Sequence, residues 1–250
     1  MPRSSGGATV YDMDAAEFAR RAGALVGAGA AILGGCCGTT PEHLAALRKA
    51  VSRKKAPAPL RRSLAALSSA RRSLVFEPGR PLVVIGEGIN PTGKKALQEE
   101  LREGKTALVR RMARDQEAAG ADLLDVNVGV PGIDQEKAMQ EVVLTLAAAT
   151  ELPLVIDSAK TEPIERALRV YPGRALINSI SGEKEKLRRL LPVAAKYGAM
   201  FILLPLTDRG IPGTAEKRAD VVRTVLREAR RHGFTRDDVL VDGIVMTAAS

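Results

Sequence analysis

Residues 123–129 read LLDVNVG, a short apolar run that ends in glycine and contains two polar residues, Asp125 and Asn127. A continuous apolar run of this length, bounded by glycine, is typical of a strand that is buried on both faces. A similar apolar run with polar residues near its end recurs at residues 154–158 (LVIDS) and 175–181 (ALINSIS). These strands indicate the fold class, and the acids and amides near their carboxyl ends mark a candidate site.

Outward from these stretches, strand-like runs alternate with helical patterns. Amphipathic helices are predicted over residues 136–149, 184–197 and 215–232. This alternation predicts an α/β fold whose parallel strands are joined by right-handed crossovers. The six strand-like runs lie at residues 82–86, 123–128, 154–157, 175–180, 200–204 and 239–245.

Polar residues at nearly every strand end favour a (β/α)8 barrel over a doubly wound sheet. A barrel gathers functional groups at the carboxyl ends of all its strands, whereas a doubly wound sheet concentrates them at one switch point. Residues 81–250 supply only six strands, and a typical barrel needs about 250 residues. We therefore expect an incomplete barrel cut from a longer enzyme; a genuine partial barrel is the alternative.

Residues 1–50 show a different pattern. A helix is predicted over residues 15–28 and a short apolar strand over residues 30–33. A second helix begins at Pro41, with Thr40 suited to be its N-cap. Such a fragment cannot bury a core alone, so we expect it to be the C-terminal end of a second barrel.

The positive charge of the chain is concentrated in one segment. Lys and Arg number 38 and Asp and Glu number 29, which gives a net charge of +9. Nine basic residues and no acid lie between Arg48 and Arg72, so this segment accounts for the whole excess. Its Ala, Pro and Ser content predicts an interdomain linker over residues 51–80, with a short helix over residues 60–67, between domains at residues 1–50 and 81–250.

Composition excludes several classes of protein. The basic segment has no interleaved aromatic residues and no nucleic-acid motif, so no nucleic-acid partner is expected. No apolar run is long enough to span a membrane, and the N-terminus has no apolar leader. Cys36 and Cys37 are adjacent and cannot form a disulfide framework, so we expect a cytoplasmic protein.

The polar strand ends suit a flat heterocyclic ligand. Carboxylates accept paired N–H donors and amides both donate and accept, which matches the amino-imino edge of a pterin or a purine. Asp157 or Asp242 is suited to accept two such bonds, and a carboxylate near a ring nitrogen can relay a proton. The alternative is that these residues cap the following helices. The set comprises Glu87, Asn90, Asp125, Asn127, Asp157, Ser158, Asn178, Ser179 and Asp242.

Residues 85–93, IGEGINPTG, resemble the opening of the pterin-binding barrel of cobalamin-dependent methyltransferases. Upstream, residues 34–43, GGCCGTTPEH, are similar to the closing motif of the homocysteine S-methyltransferase barrel. A homocysteine barrel followed by a pterin-binding barrel is the arrangement of the cobalamin-dependent methionine synthase family. Four further motifs follow in the order of the pterin-binding family: DVNVG at 125–129, VIDS at 155–158, INSIS at 177–181 and VDGIVMT at 241–247.

The resemblance implies a methyltransferase that binds 5-methyltetrahydrofolate and transfers its N5 methyl group to cob(I)alamin, en route to homocysteine and methionine. The implied partners are a cobalamin-binding domain or protein and the homocysteine-binding barrel. Because a tertiary amine leaves poorly, N5 must gain a proton, and the rim would supply or stabilise it. The implied catalytic residues are Asp125, Asp157 and Asn178, and the implied pterin-binding residues are Glu87, Asn90, Asp125, Asn127, Asp157, Asn178 and Asp242.

The chain departs from the pattern of the resembled families in two respects. Gly88 stands where the pterin-binding barrel usually has Arg, so a charged contact at the rim is lost. Cys36 and Cys37 match two zinc ligands, but the third is a cysteine from an earlier strand and this chain has no third cysteine. Because catalytic zinc takes about three protein ligands, we expect no stable zinc site.

Two other functions remain open. One is a different pterin-binding barrel enzyme, either dihydropteroate synthase-like or a methyltransferase that serves another corrinoid protein. The other is an inactive basic fragment that acts as a tether, whose binding to polyanions would fall steeply with salt.

Overall fold

The computed structural model describes residues 3–55, 64–79 and 81–245. The chain divides into two compact units, Met1–Arg62 and Ser63–Ser250. Across the described ranges, no helix is both long enough and apolar enough to cross a membrane.

The described residues of the smaller unit form one antiparallel strand pair and two helices that pack against each other. Thr40 is the N-cap of the second helix and Pro41 is its first residue, which confirms the predicted start. The elements of this unit are β1 (Arg3–Ser5), β2 (Ala8–Val10), α1 (Ala15–Ala24) and α2 (Pro41–Val51).

The strand predicted over residues 30–33 is wrong. These residues form an irregular loop, and Ile32 is 93% exposed. A strand needs a neighbour to pair its N–H and C=O groups, and in the described part of this unit β1 and β2 pair only with each other. The helix predicted over residues 15–28 ends earlier, at Ala24, ahead of a turn that contains the left-handed Gly29.

The larger unit alternates strands and helices, as predicted. Its strands are β3 (Ala66–Ser68), β4 (Ser73–Val75), β5 (Ile85–Ile89), β6 (Leu123–Asn127), β7 (Leu154–Asp157), β8 (Leu176–Ser181), β9 (Met200–Leu204) and β10 (Val239–Val241). Its helices are α3 (Lys95–Arg102), α4 (Ala107–Ala118), α5 (Gln135–Ala149), α6 (Thr161–Val170), α7 (Lys184–Tyr197) and α8 (Ala215–Arg231). One turn of 3-10 helix, Arg236–Asp238, precedes β10.

Strands β5 to β10 form one parallel six-stranded sheet whose spatial order follows the sequence order. This arrangement confirms the predicted α/β class and the six predicted strands. Two strands differ from prediction by more than one residue: the first spans Ile85–Ile89 rather than residues 82–86, and Leu82 is 94% exposed. The last strand ends at Val241, because the Asp242 carboxylate accepts the Ile244 N–H and turns the chain.

Each face of the sheet packs in its own hydrophobic cluster. Leu124 enters the larger cluster with residues of the helices, whereas Leu123 enters a smaller cluster that contains no helix residue. Successive strand residues point to opposite faces, which separates these neighbours. The buried members of the smaller cluster are Leu67, Leu123, Val155, Leu176 and Met200.

The β3–β4 hairpin seals the smaller cluster at the amino ends of the strands. Leu67 on β3 is fully buried against residues at or near the starts of β6 to β9. A full Leu side chain removed from water contributes about 1.5–3 kcal/mol to stability. The hairpin is therefore part of the folded unit, although it lies in the second half of the predicted linker.

Polar contacts from the β7–β8 connection fix the hairpin. The Arg174 Nη1 donates to the carbonyl oxygens of Leu64 and Ala66 at 2.9 and 3.0 Å, and its guanidinium also pairs with Asp238. The Tyr171 hydroxyl donates to the Ser68 carbonyl oxygen at 3.0 Å. Burial raises the pKa of Tyr171 to about 12, so its hydroxyl keeps its proton.

The short helix predicted over residues 60–67 is wrong in its described part. Leu64 and Ala65 are irregular and residues 66–68 belong to β3, while residues 60–63 lie outside the described ranges. Pairing with β4 and burial of Leu67 override the local helical pattern, because tertiary contacts outweigh weak intrinsic propensity.

We predict that Gly173→Ala destabilises the larger unit. A Cβ at this position would lie 2.1 Å from the Ser68 carbonyl oxygen, so the hairpin must shift, at a cost of about 1–3 kcal/mol. Urea unfolding followed by circular dichroism measures the loss. Gly213→Ala is the matched control, because its Cβ would meet no atom within 4 Å; equal stability of the two variants would contradict the prediction.

Candidate functional site

The register of the parallel sheet places three polar residues side by side at its carboxyl edge. Asp157 at the end of β7 is the register partner of Asn127 on β6 and of Asn178 on β8. Register partners on adjacent strands point to the same face. The sequence places each residue near a strand end, and the sheet brings the three together.

Two amide–carboxylate hydrogen bonds connect these strands. The Asn127 Nδ2 donates to the Asp157 Oδ2 at 2.8 Å, and the Asn178 Nδ2 donates to the Asp125 Oδ2 at 2.8 Å. The Asn127 Oδ1 accepts the Gly129 N–H at 2.7 Å, so that amide is held at both ends. These bonds fix which way each amide faces and which oxygen of each carboxylate is already engaged.

Asp125 is the buried acid of the group, with only 4% of its surface exposed. Burial raises the pKa of its carboxyl to about 7, the Asn178 donor opposes that rise, and repulsion from Asp157 and Glu87 adds to it. A carboxyl that titrates near neutral pH can hold or release a proton under ordinary conditions. The candidate site therefore contains a carboxyl that can exchange a proton, beside polar groups that are able to bind a ligand.

Glu87 is the middle residue of β5 and Asn90 directly follows its last residue, and the pairing with β6 shifts register between Gly86 and Ile89. The exposed Glu87 is close enough for its charge to act on Asp125. The Asn90 Oδ1 accepts the Thr92 N–H at 3.0 Å and holds the turn that follows the strand. Both residues therefore lie at the same edge of the sheet as the central group.

Gln116 on α4 holds the β5 backbone, and sequence reasoning missed it. Its Oε1 accepts the Gly88 N–H at 2.6 Å, and the Lys94 Nζ donates to the Gly88 carbonyl oxygen at 2.6 Å. The Gln116 amide fills the space that a side chain at position 88 would need. Two glycines in one strand, at positions 86 and 88, are the signal for such a close approach.

Asp242 lies at the other edge of the sheet, directly after β10. Its N–H donates to the Leu203 carbonyl oxygen at 3.1 Å and its Oδ1 accepts the Ile244 N–H at 2.7 Å. The side chain is exposed and, among the described residues, makes no hydrogen bond to the central group. The structure thus joins Asn127 to Asp157 and Asn178 to Asp125 by hydrogen bonds, and it leaves Asp242 apart from both pairs.

Cys36 and Cys37 belong to the smaller unit, where both are exposed and unbridged. The Tyr11 hydroxyl lies beside the two cysteines and hydrogen-bonds the Cys37 side chain; burial and Cys37 together raise the pKa of Tyr11. His43 is engaged elsewhere: its Nε2 contacts the Met13 carbonyl oxygen at 2.9 Å and its Nδ1 contacts the Thr40 hydroxyl at 2.8 Å.

A zinc ion does not fit the cysteine pair as described. Within residues 3–55, 64–79 and 81–245, no three His, Cys, Asp or Glu side chains are grouped so as to hold a metal, and two thiols alone fall short of a catalytic zinc site. The assignment of Cys36 and Cys37 as zinc ligands by resemblance stays a prediction.

We predict that Asp125 makes the protein less stable as pH rises from the acid range toward neutrality. Unfolded, this acid releases its proton near its ordinary pKa of 3.8, while the folded protein keeps the proton until about pH 7. Between these values the unfolded state binds fewer protons, so the free energy of unfolding falls as pH rises, by up to about 1.4 kcal/mol per pH unit.

Denaturant unfolding of wild type and of Asp125→Asn, from about pH 5 to about pH 8, tests this. The stability of wild type relative to the variant should decline up to about pH 7 and then level off. A difference that does not change with pH would contradict the assignment.

We predict that Gly88→Ala destabilises the larger unit by displacing Gln116. The new Cβ would lie 2.6 Å from the Gln116 Cδ, so the bond from the Gly88 N–H to Gln116 is lost, at a cost of about 1–2 kcal/mol. Combining it with Gln116→Ala should cost less than the sum of the two single changes, because both act on one contact. Strict additivity of the unfolding free energies would show that the two residues are independent.

Comparison with family models gives two matches in succession. A model described as pterin binding enzyme matches residues 86–250, about two thirds of the chain. A model described as homocysteine S-methyltransferase matches residues 1–51.

Two curated relatives are methionine synthases. The one from Mycobacterium tuberculosis (strain ATCC 25618 / H37Rv) is 28% identical over 235 residues, which cover 92% of this chain and 20% of the relative. The one from Mycobacterium leprae (strain TN) is 27% identical over 252 residues, which cover 96% of this chain and 21% of the relative. The chain thus spans about a fifth of the length of these relatives.

Solved structures of dihydropteroate synthases share the fold. The enzyme of Xanthomonas albilineans in complex with indole-2-carboxylic acid and 6-chloroguanine gives a TM-score of 0.51 at 21% identity, covering 71% of this chain and 64% of that one. The enzyme of Vibrio fischeri ES114 gives 0.51 at 15% identity, covering 70% and 65%. At such identities the likeness shows the fold alone. Since the pterin model matches well over half of the residues, this chain belongs to the pterin binding enzyme family.

Proposed function

We propose that the rim of the sheet binds the pterin ring of 5-methyltetrahydrofolate and that the protein transfers its N5 methyl group to cob(I)alamin on a partner domain or protein. The observation that carries the proposal is the pair of contacts Asn178–Asp125 and Asn127–Asp157 at the carboxyl edge of a parallel sheet. The homocysteine S-methyltransferase match ahead of the pterin match, and the methionine synthase relatives, support methyl transfer over other pterin chemistry.

Asp157 is the proposed anchor of the pterin ring. It is central in the row of three register partners, and Asn127 holds one of its oxygens. Among the described residues no hydrogen bond engages its second oxygen, which is therefore proposed as an acceptor for the ring N–H or the 2-amino group. Glu87 and Asn90 on one side and Asp242 on the other are the proposed flanking contacts.

Asp125 and Asn178 are the proposed groups at N5. When the N5–methyl bond breaks, its electron pair stays on N5 and must be matched by a proton, because a neutral amine leaves more readily than an amide anion. The Asn178 Nδ2 donates to Asp125. The Asn178 Oδ1 therefore points away from Asp125 and can accept a hydrogen bond from an N5–H. An amide oxygen stabilises that proton without removing it, and the neutral-range pKa of Asp125 suits it to supply or exchange the proton.

The partner's cob(I)alamin, when present, supplies the electron pair that accepts the methyl group. The side chains of this chain bind the pterin ring, orient N5 and hold its proton. The match of residues 1–51 supports a homocysteine-binding barrel as a second partner.

Calorimetric titration of 5-methyltetrahydrofolate into wild type, Asp157→Ala and Asp220→Ala tests the site. Wild type should bind one equivalent, and Asp157→Ala should weaken binding at least about tenfold, equal to about 1.4 kcal/mol. Asp220→Ala should leave the affinity unchanged, because that exposed carboxylate on α8 pairs only with Arg223 among the described residues.

Two results would count against the proposal. Absence of binding by folded wild type would overturn the pterin site, and equal affinities of the two variants would remove Asp157 from it. Spectroscopic assay with free cob(I)alamin then tests the reaction: binding without methyl transfer would favour a pterin enzyme of another chemistry, such as a dihydropteroate synthase-like one.

A further inference from the structure

The loop that follows β10 is held by one guanidinium from a neighbouring helix. Arg218, in the first turns of α8, donates from Nη1 to the carbonyl oxygens of Gly243 and Ile244 at 3.1 and 3.0 Å. Its Nε donates to the Pro212 carbonyl oxygen at 3.0 Å. Arg218 therefore ties the turn after β10 to the loop that joins β9 to α8.

The turn that Arg218 binds has a conformation that needs support. Ile244 has a φ of +49°, the left-handed region, which costs roughly 1–2 kcal/mol for a residue with a Cβ and is least suited to a β-branched side chain. Two interactions oppose this cost. The Asp242 Oδ1 accepts the Ile244 N–H from within the turn, and Arg218 binds the turn's carbonyl oxygens from outside.

The partners of Arg218 indicate an organising role rather than an ion pair. Among the described residues its contacts are three carbonyl oxygens and no carboxylate. It is half-buried, unlike Arg223 one and a half turns further along α8, which is exposed and pairs with Asp220. A planar guanidinium with several fixed donors can bridge two loops at once, which a flexible ammonium does less well.

We propose that Arg218 is a positioning residue for Asp242: it orders the turn at residues 242–244 so that the free carboxylate oxygen of Asp242 faces the ligand at the rim. This deepens the proposed function and rests on it. One Asp242 oxygen is used by the Ile244 N–H, so the direction of the other is set by the turn, and the turn is set by Arg218. The residue contributes to ligand affinity through the backbone, without touching the ligand.

The first test needs no ligand. Amide hydrogen exchange at Ile244, read by mass spectrometry or NMR, should be slow in wild type and at least about tenfold faster in Arg218→Ala. Arg223→Ala on the same helix is the control and should match wild type. Unchanged exchange in Arg218→Ala would overturn the proposal whatever the protein binds.

The second test is a double-mutant cycle on 5-methyltetrahydrofolate affinity. Arg218→Ala should weaken binding about tenfold in wild type and less than about twofold in an Asp242→Ala background, since its effect passes through Asp242. Arg218→Lys should be intermediate, because an ammonium retains the charge but not the bridge between loops. A merely structural role would instead give equal losses in both backgrounds.

The outcomes separate the two proposals. If folded wild type binds no 5-methyltetrahydrofolate, the proposed function fails, and hydrogen exchange alone decides whether Arg218 orders the turn. If wild type binds and Arg218→Ala binds equally well, the positioning role fails while the proposed function stands.

Discussion

The register between β6, β7 and β8 is the constraint on which the site depends. It aligns Asn127, Asp157 and Asn178 across three strands, so that two amides and two carboxylates meet within hydrogen-bond distance. A slip of one residue in any pair would turn these side chains to the helical face and bury them without partners, at a cost of several kcal/mol. The register of these strands therefore fixes the chemistry of the site as well as the packing of the core.

The burial that stabilises the sheet also raises the pKa of Asp125. Asp125 stands in the interior of β6 and is almost wholly buried. Its ionised form loses water there and faces the charges of Asp157 and Glu87, while one amide donor compensates in part. Burial in the packed sheet thus raises the pKa of the Asp125 carboxyl into the range where it can exchange a proton at neutral pH.

Strands and helices contribute to the candidate site in different ways. The candidate ligand-binding groups of the larger unit lie on strands or directly after them, whereas side chains from helices hold the neighbouring backbone: Gln116 from α4 at Gly88, and Arg218 from α8 at the turn after Asp242. At the opposite end of the sheet, the β3–β4 hairpin buries Leu67 against the strand starts. Both ends of the sheet are therefore stabilised by elements outside it.

The sequence by itself determined the α/β class, the six parallel strands and the acids and amides at their ends, because apolar periodicity and residue type are local properties. It failed where structure depends on distant partners: residues 30–33 pair with no strand among the described residues, and residues 64–68 join a hairpin instead of a helix. Only the tertiary structure decided the pairing of Asn178 with Asp125, the contact of Gln116 with Gly88 and the hold of Arg218 on the last turn. Each joins residues 25 to 53 positions apart, and no local pattern encodes which of many possible partners will meet once the strands are in register.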